Sequence, residues 1–474
     1  MNVKSGRLRN GVAAFARFLY VALPATAVAF LSSGIALAQD TRVVREPHVP
    51  KICTTLEASF SSVGGNPTPE NESSPDTQRI QSAIGTCPPG HAVELRPDGA
   101  NDAFVSGPIE MKRGVTLLVA ADTTLFASRN PRDYDVQPGS CGIVDTKGGG
   151  CKPLLHFLDA PDAGVMGDGI IDGRGGATLA GEHLTWWDLA EQARVGNRKQ
   201  NVPRIIVAES SNNFTLYRIT LRNSPNFHVF ISKTNGFTAW GVRIDAPRTA
   251  RNTDGIDPSS STNVSILYSY IRDGDDNVAI KAGNNGLSTH ITVAHDHFYS
   301  GHGMSIGSET NGGVSQIEVN DLTIDGADNG LRIKSDTSRG GLVQDIVYRN
   351  VCMRQVKNPI LISPFYSTAS GNKIPLFQGI LMRNIVTTTP GKITLEGRDA
   401  SHLLQLTLDG VTESGVASRN VVASHARIRL GPGSVNFAPV GDDVQIAQVK
   451  GRRATPACSA EFVPFPNSHI GPER

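Results

Sequence analysis

From about residue 200 the chain alternates short apolar and polar positions, broken at intervals by turns rich in Asn, Asp and Gly, and the pattern recurs. Aligning the openings of the alternating runs places Phe214, Phe237, Val264, Ile291, Ile317, Ile346, Ile380 and Leu406 in equivalent positions, separated by 23, 27, 27, 26, 29, 34 and 26 residues. Segments such as Val264 to Tyr268 and Ile317 to Val319 turn every second side chain inward, as a half-buried strand requires. A period of this length in β-branched, turn-rich sequence predicts stacked coils of a parallel β-helix. A leucine-rich horseshoe would need regularly spaced leucines, and these positions vary among Phe, Val, Ile and Leu.

The same rhythm occurs earlier, at Val115 to Val119 and Gly164 to Gly173. Between these runs and the main array, residues 175–200 read as an insertion with a short helix around Trp186, Trp187, Leu189 and Ala190. Asp76 to Ile84 sets Ile80, Ala83 and Ile84 on one helical face behind Ser74 and Pro75, and such a helix would cap the open apolar end of the stack. The expected fold is therefore all-β, a single-domain parallel β-helix over residues 39–425 with an N-terminal capping helix. Residues 426–474, rich in Pro, Gly and Arg, carry no clear coil signal and are expected to form an irregular cap or extension.

Composition narrows the function. Glycine, 49 of 474 residues, is in excess without any three-residue period, which fits many tight turns and excludes collagen. Residues 1–38 read as a secretory signal: Lys4, Arg7, Arg9 and Arg17 precede an apolar run from Phe18 to Phe30, and Ala36-Leu37-Ala38 offers a cleavage site near Ala38. The run is too short to span a bilayer. Of 45 basic residues four lie in that leader, which has no acidic ones, so 41 remain against 44 acidic. A slightly acidic protein without basic clusters is a poor partner for nucleic acid or membrane. Six cysteines, all beyond the leader, suit an oxidising compartment. Proximity favours Cys53 with Cys87 and Cys141 with Cys151, and the absence of any CxxC pair argues against zinc.

Stacking turns sequence spacing into vertical alignment, so polar residues one period apart share a face. Asn252, Asp254, Asp275, Asp276, His302, Arg332 and Lys334 meet this condition: Asp254 precedes Asp276 by 22 residues, Asp275 precedes His302 by 27, and His302 precedes Arg332 by 30. Arg332 and Lys334 project together while Ile333 points inward. Crowded carboxyls repel and divide their protonation states, as cleavage of an acetal by water needs: a protonated acid for the leaving oxygen and an ionised carboxylate for the water. The two cations suit a sugar that is itself an acid. Asp257, before a proline, reads as a turn residue. His290, His295 and His297 read as surface or packing groups, and His228 either lines the cleft or is internally hydrogen-bonded. Asn213 and Asn263 open glycosylation sequons that equally serve as turns.

In order and spacing the motifs NTDGID, GDDN, GHG and RIK resemble glycoside hydrolase family 28, the polygalacturonases. The surrounding ARNTDGIDP, GDDNVAIKA, GHGMSIGSET, NGLRIKSD and NSPNFHV are similar to its bacterial endo-acting members, over about residues 45 to 400. The resemblance implies a right-handed parallel β-helix and a secreted endo-polygalacturonase that hydrolyses α-1,4 links of de-esterified pectin by single displacement with inversion. It implies Asp275 as general acid, Asp254 and Asp276 as the residues holding and deprotonating water, His302 as the acid's proton partner, and Arg332 and Lys334 as the carboxylate grip. Asn252 and Tyr366, in PILISPFY, are further candidate substrate contacts. Neither metal nor other cofactor is implied; the partner is the polysaccharide, and the chain is expected to act as a monomer. A calcium-dependent pectate lyase and a non-catalytic polysaccharide binder are the competing readings. The lyase would need a basic proton acceptor, and the binder would show no turnover.

Overall fold

The computed structural model describes residues 39–466 apart from 63, 416, 455, 459 and 460. The expected leader, 1–38, lies outside the described residues. The eight aligned openings sit directly above one another. Phe214 pairs with Phe237, then Val264, Ile291, Ile317, Ile346, Ile380 and Leu406 follow in unbroken parallel register. The fold is a parallel β-helix. Each coil contributes an opening strand, a second strand beyond a bend, and a third strand in a separate sheet of eleven parallel strands. In later coils the first two strands fuse across the bend, as in Ser288–Phe298 and Val314–Asp325.

The bends explain how a 23- to 34-residue period keeps register. Four residues past each opening stand Arg218, Gly241, Tyr268, His295, Asp321, Asn350, Asn384 and Gly410, all at φ between 53° and 76°. This left-handed conformation is open to Gly and reached by Asn, Asp and His more readily than by other residues. One residue before seven of the openings, Asn213, Gly236, Asn263, His290, Gln316, Asp345 and Gly379 form a second left-handed column. Corner side chains stack along the axis. The Tyr268 and His295 rings lie parallel at 4.8 Å, and Asn384 donates to Asn350, which donates to Asn320. His295 and His290 are thus corner residues, and His297 stacks on Tyr270. Both sequon asparagines are corners tied to the preceding coil, Asn263 to Asn235 and Asn213 to Asp162.

Inward positions fill one continuous core, where Phe157, Phe214 and Phe237 stack at 4.6 and 5.7 Å between ring centroids. The helix Thr77–Thr86 forms, with Asp76 rather than Ser74 at its N-cap, and buries Ile80, Ala83 and Ile84 in this core. The insertion's helix runs Trp186–Val195 behind a Thr185/Asp188 capping box. Tyr134, Cys141, Leu179, Trp186, Leu189 and Val202 give it a small core of its own. Its return strand Lys199–Asn201 pairs antiparallel with Ile143–Asp145. Residues 40–46 run as a strap across four coils: the Asp40 amide donates to Thr292 Oγ1 and its carboxylate accepts from Ser265, Arg42 donates to Phe237 O, and Tyr217 donates to Glu46.

The tail differs from expectation. Coils do not stop at 425: Ala426–Leu430 and Val444–Gln448 extend the stack, with Leu406, Ile428 and Ile446 in register. The alternation Ala426-Arg-Ile-Arg-Leu430 drives this, its arginines outward and Ile428 buried. Three disulfides close, Cys53–Cys87, Cys141–Cys151 and Cys352–Cys458, with Cα separations of 5.8, 4.8 and 5.5 Å. Among the described residues no helix is long and apolar enough to cross a membrane.

Phe237→Ala opens a hole between the Phe214 ring and Val264 in a core that interlocks along its length. A loss of about 3–5 kcal/mol in unfolding free energy is expected, read by denaturant titration; a loss under about 1 kcal/mol would show that the column is not tightly packed.

Candidate active site

The eleven-stranded sheet positions the chemistry. Ile256, Val278, Met304 and Leu331 are stacked in register, so Asp254, Asp276 and His302, each two residues before its stacked neighbour, form one column at the head of the strands. The outward positions on the strands are Asp257, Lys281, Ser305, Arg332 and Lys334, with Ser259 bridged to Lys281. All the expected carboxyls, the histidine and both cations therefore converge.

Asp275 and His302 are bound twice. The His302 amide donates to Asp275 O at 2.6 Å, and its Nδ1 lies 3.0 Å from Asp275 Oδ1. This approach depends on Gly301 (φ +121°): a Cβ there would come within 2.5 Å of Asp273 Oδ1 and 2.6 Å of Asp275 O. Gly303 on the other side faces Asn329 O at 2.2 Å from a would-be Cβ. Asn252 Nδ2 reaches Asp275 Oδ2 at 3.4 Å, while Asn252 Oδ1 accepts from Gln200, carried in by the insertion's return strand. Asp276 accepts from Ser305 Oγ at 2.7 Å and meets Lys334 Nζ at 2.5 Å and Arg332 Nη1 at 3.4 Å. The Tyr366 ring, 44% exposed, lies beneath the Arg332 and Lys334 cations at 5.6 and 5.1 Å.

The carboxyls carry different charges. Burial pushes Asp254 well above the ordinary carboxylate range, and the charges of Asp275 and Asp257 add to it. Asp276 stays below its ordinary value, since the charges of Lys334 and Arg332 outweigh burial. Asp275 is also held low. Burial opposes this, but the hydrogen bond and charge of His302, with Lys334 and Lys281, prevail. Proton affinity is thus raised at Asp254 and lowered at Asp275, which lies beside the imidazole.

Two residues, Asp257 and Lys281, gained roles that their sequence context had not suggested, and His228 takes the internally hydrogen-bonded one of its two expected roles. Asp257 is not a turn residue. It lies fully buried in the strand Ile256–Ser259, 3.3 Å from Lys281 Nζ, and burial with the Asp276 charge pushes it up to about 7 against the pull of Lys281. Lys281 also lies 3.7 Å from Asp254, and these partners raise its own proton affinity despite burial. His228 is buried, hydrogen-bonded at Nδ1 to the carbonyls of Thr253 and Asp254 and accepting at Nε2 from the Ser224 amide. Burial pushes it down to about 4, so it holds the Asp254 turn as a neutral ring. The alternation Val278-Ala-Ile-Lys281 repeats that of Leu331-Arg-Ile-Lys334 and is the signal that marks Lys281.

Asp275, Asp276 and His302 offer ligand atoms within 4.8 Å of one another. A metal ion there would meet Lys334 and Arg332, which already neutralise Asp276, so the set fits proton chemistry better than a divalent cation.

The model of the glycosyl hydrolases family 28 matches residues 118–426, more than half of the chain. The chain belongs to this family. Family 28 relatives include a polygalacturonase of Ralstonia nicotianae, 40% identical over 94% of this chain and 97% of its own. An endo-polygalacturonase of Pectobacterium carotovorum subsp. carotovorum is 44% identical over 80% and 91%. Among solved structures, the polygalacturonase of Erwinia carotovora ssp. carotovora superposes with a TM-score of 0.75 at 41% identity, covering 81% of this chain and all of that one. A family 28 exopolygalacturonase of Yersinia enterocolitica, TM-score 0.65 at 19% identity over 85% and 79%, shares the fold. The protein is accordingly a glycoside hydrolase.

Removing Lys334 leaves Asp276 buried with one fewer counter-charge. In Lys334→Met the Asp276 carboxyl should gain proton affinity, read as an upward-shifted titration of its carboxyl carbon by NMR; an unmoved titration would mean that Arg332 and Ser305 alone set its charge.

Proposed function

We propose that this protein is a secreted endo-polygalacturonase, hydrolysing α-1,4-galacturonosidic bonds of de-esterified pectin with inversion. The observation that carries the reading is the joining of a hydrogen-bonded Asp275–His302 pair to a carboxyl–cation cluster at Asp276, Arg332 and Lys334. The names of the Ralstonia and Pectobacterium relatives support it. The leader-like residues 1–38 and three disulfides favour secretion.

The proton inventory sets the mechanism. Asp275 acts as general acid, yet without substrate its proton affinity is held low while that of Asp254 is raised. Lys334 is one of the charges that hold Asp275 low. When Arg332 and Lys334 take up the galacturonate carboxylate, their field at Asp275 is neutralised and its proton affinity rises. Transfer of one proton from Asp254 to Asp275 then yields a protonated acid and an ionised base with no change in total charge. Asp275 protonates the leaving oxygen. Asp254, the carboxyl with the higher proton affinity, and Asp276 orient the water and take its proton on the opposite face of the sugar. The water's proton on Asp254 returns the pair to its starting state, from which the next transfer re-arms Asp275, and His302, bonded to Asp275, holds that carboxyl in place. Tyr366 and Asn252 flank the sugar bound at this point.

Polygalacturonate incubated with the protein should gain reducing ends together with a rapid fall in viscosity, and the new ends should first appear as the β-anomer by NMR. Monomer release without the viscosity drop, an α-anomeric product, or an ultraviolet-absorbing unsaturated product would each overturn part of this reading. Asp275→Asn should lose about 10²–10⁴-fold in kcat while retaining polymer binding; near-wild-type turnover would remove Asp275 from the acid's role.

The rate should also fall as pH rises. The proton shared by Asp254 and Asp275 is retained past the ordinary carboxylate range because Asp254 is raised, and its loss disarms the acid. A kcat/KM profile that climbs into mildly alkaline pH would contradict the scheme.

A further inference from the structure

Most arginines on the outer faces of the coils are paired with an acid: Arg222 with Asp172, Arg272 with Asp245, Arg354 with Asp325, Arg383 with Asp409. Arg204 differs. Its guanidinium lies between the rings of Phe227 and Phe230, 4.6 and 4.7 Å from their centroids. Its one side-chain hydrogen bond among the described residues is from Nε to Asn226 Oδ1 at 3.4 Å, and no carboxylate there lies within ion-pair distance. A half-buried cation that no carboxylate touches is costly, and ring faces with the more distant charges of Asp257, Asp254 and Glu209 offset only part of that cost.

Its place in the fold is informative. Ile206, Val229 and Ile256 are stacked in register, so Arg204, Phe227 and Asp254 occupy one column, each two residues before its stacked neighbour. With strands about 4.8 Å apart, Arg204 lies two coils, roughly 10 Å, to the N-terminal side of Asp254. Phe227 spans the interval, since Lys281 Nζ also stands over its ring at 5.4 Å and contacts Asp254. Phe227 and Phe230 are each partly exposed, leaving apolar ring surface at the cleft.

We propose that Arg204, framed by Phe227 and Phe230, is a second carboxylate-binding position of the cleft, gripping an acidic sugar unit of the same chain at a distance from the bond being cleaved. The unused Nη1 and Nη2 atoms supply a bidentate fork for a carboxylate, and the rings supply apolar area for the C–H face of the sugar. A polymer with one carboxylate per unit can satisfy this position and the Arg332–Lys334 grip at once, so the site selects for length as well as charge. The proposal rests on the anionic-polysaccharide reading above.

The test compares oligogalacturonates of three and six units. Arg204→Gln should lose about tenfold more kcat/KM on the hexamer than on the trimer, mainly through KM, with Arg204→Lys in between and the melting temperature reporting an intact fold. An equal factor on both lengths, or none, overturns the proposal. If Arg204→Gln does not fold, the hexamer-to-trimer ratio of Arg204→Lys decides in the same way. If the wild type cleaves neither oligomer, the function proposed above fails on its own account; equal calorimetric affinity of wild type and Arg204→Gln for the hexamer would then overturn the present inference separately.

Discussion

Hydrogen bonding between the parallel strands of successive coils holds this molecule to a fixed register. The openings from Phe214 to Leu406 are separated by as few as 23 and as many as 34 residues, yet each pairs with the next without slippage. Length differences are absorbed at the turns, while the left-handed corners before seven of the openings and four residues after all eight repeat through the stack. Slippage by one residue would turn Arg332 and Lys334 inward and Ile333 outward. The geometry of the site is thus a by-product of backbone pairing. Asp254, Asp276 and His302 share a column because Ile256, Val278 and Met304 do.

That column gathers more charge than a fold would hold without compensation. Four carboxyls, at 254, 257, 275 and 276, face Lys281, Arg332, Lys334 and the His302 ring. Lys281 partners the inner pair, Asp254 and Asp257, while Lys334 and Arg332 partner Asp276. The division leaves proton affinities that differ widely between neighbours, with burial dominating at Asp254 and cations at Asp276. An anionic ligand drawn to the outer cations would alter the balance at Asp275 without touching Lys281.

Much of this was legible in the sequence because a solenoid writes its contacts as a period. The strand openings, the helix near residue 80 and the meeting of Asp254, Asp275, Asp276, His302, Arg332 and Lys334 followed from spacing or from motif resemblance. What escaped did so for local reasons. Asp257 precedes a proline, ordinarily a turn signature, but here Pro258 lies inside the strand and its carbonyl accepts from Lys281 N. Gln200 arrives from an insertion that has no period. The coils beyond 425 are short, and Arg427 and Arg429 mask the buried Ile428 between them. Which carboxyl holds the proton depends on burial and field, which spacing does not report.

Residues 40–46 bear on how the molecule comes apart. In a structure where each layer touches only the layers beside it, opening can begin at one end and proceed one layer at a time. The segment pinned to Glu46's partner Tyr217 at one end and to Ser265 and Thr292 at the other laces those layers together, including the ones that carry Asp254 and Asp276. Fraying there has to break the lacing first, which makes the middle of the molecule unzip as one block and keeps the reactive groups aligned until it does.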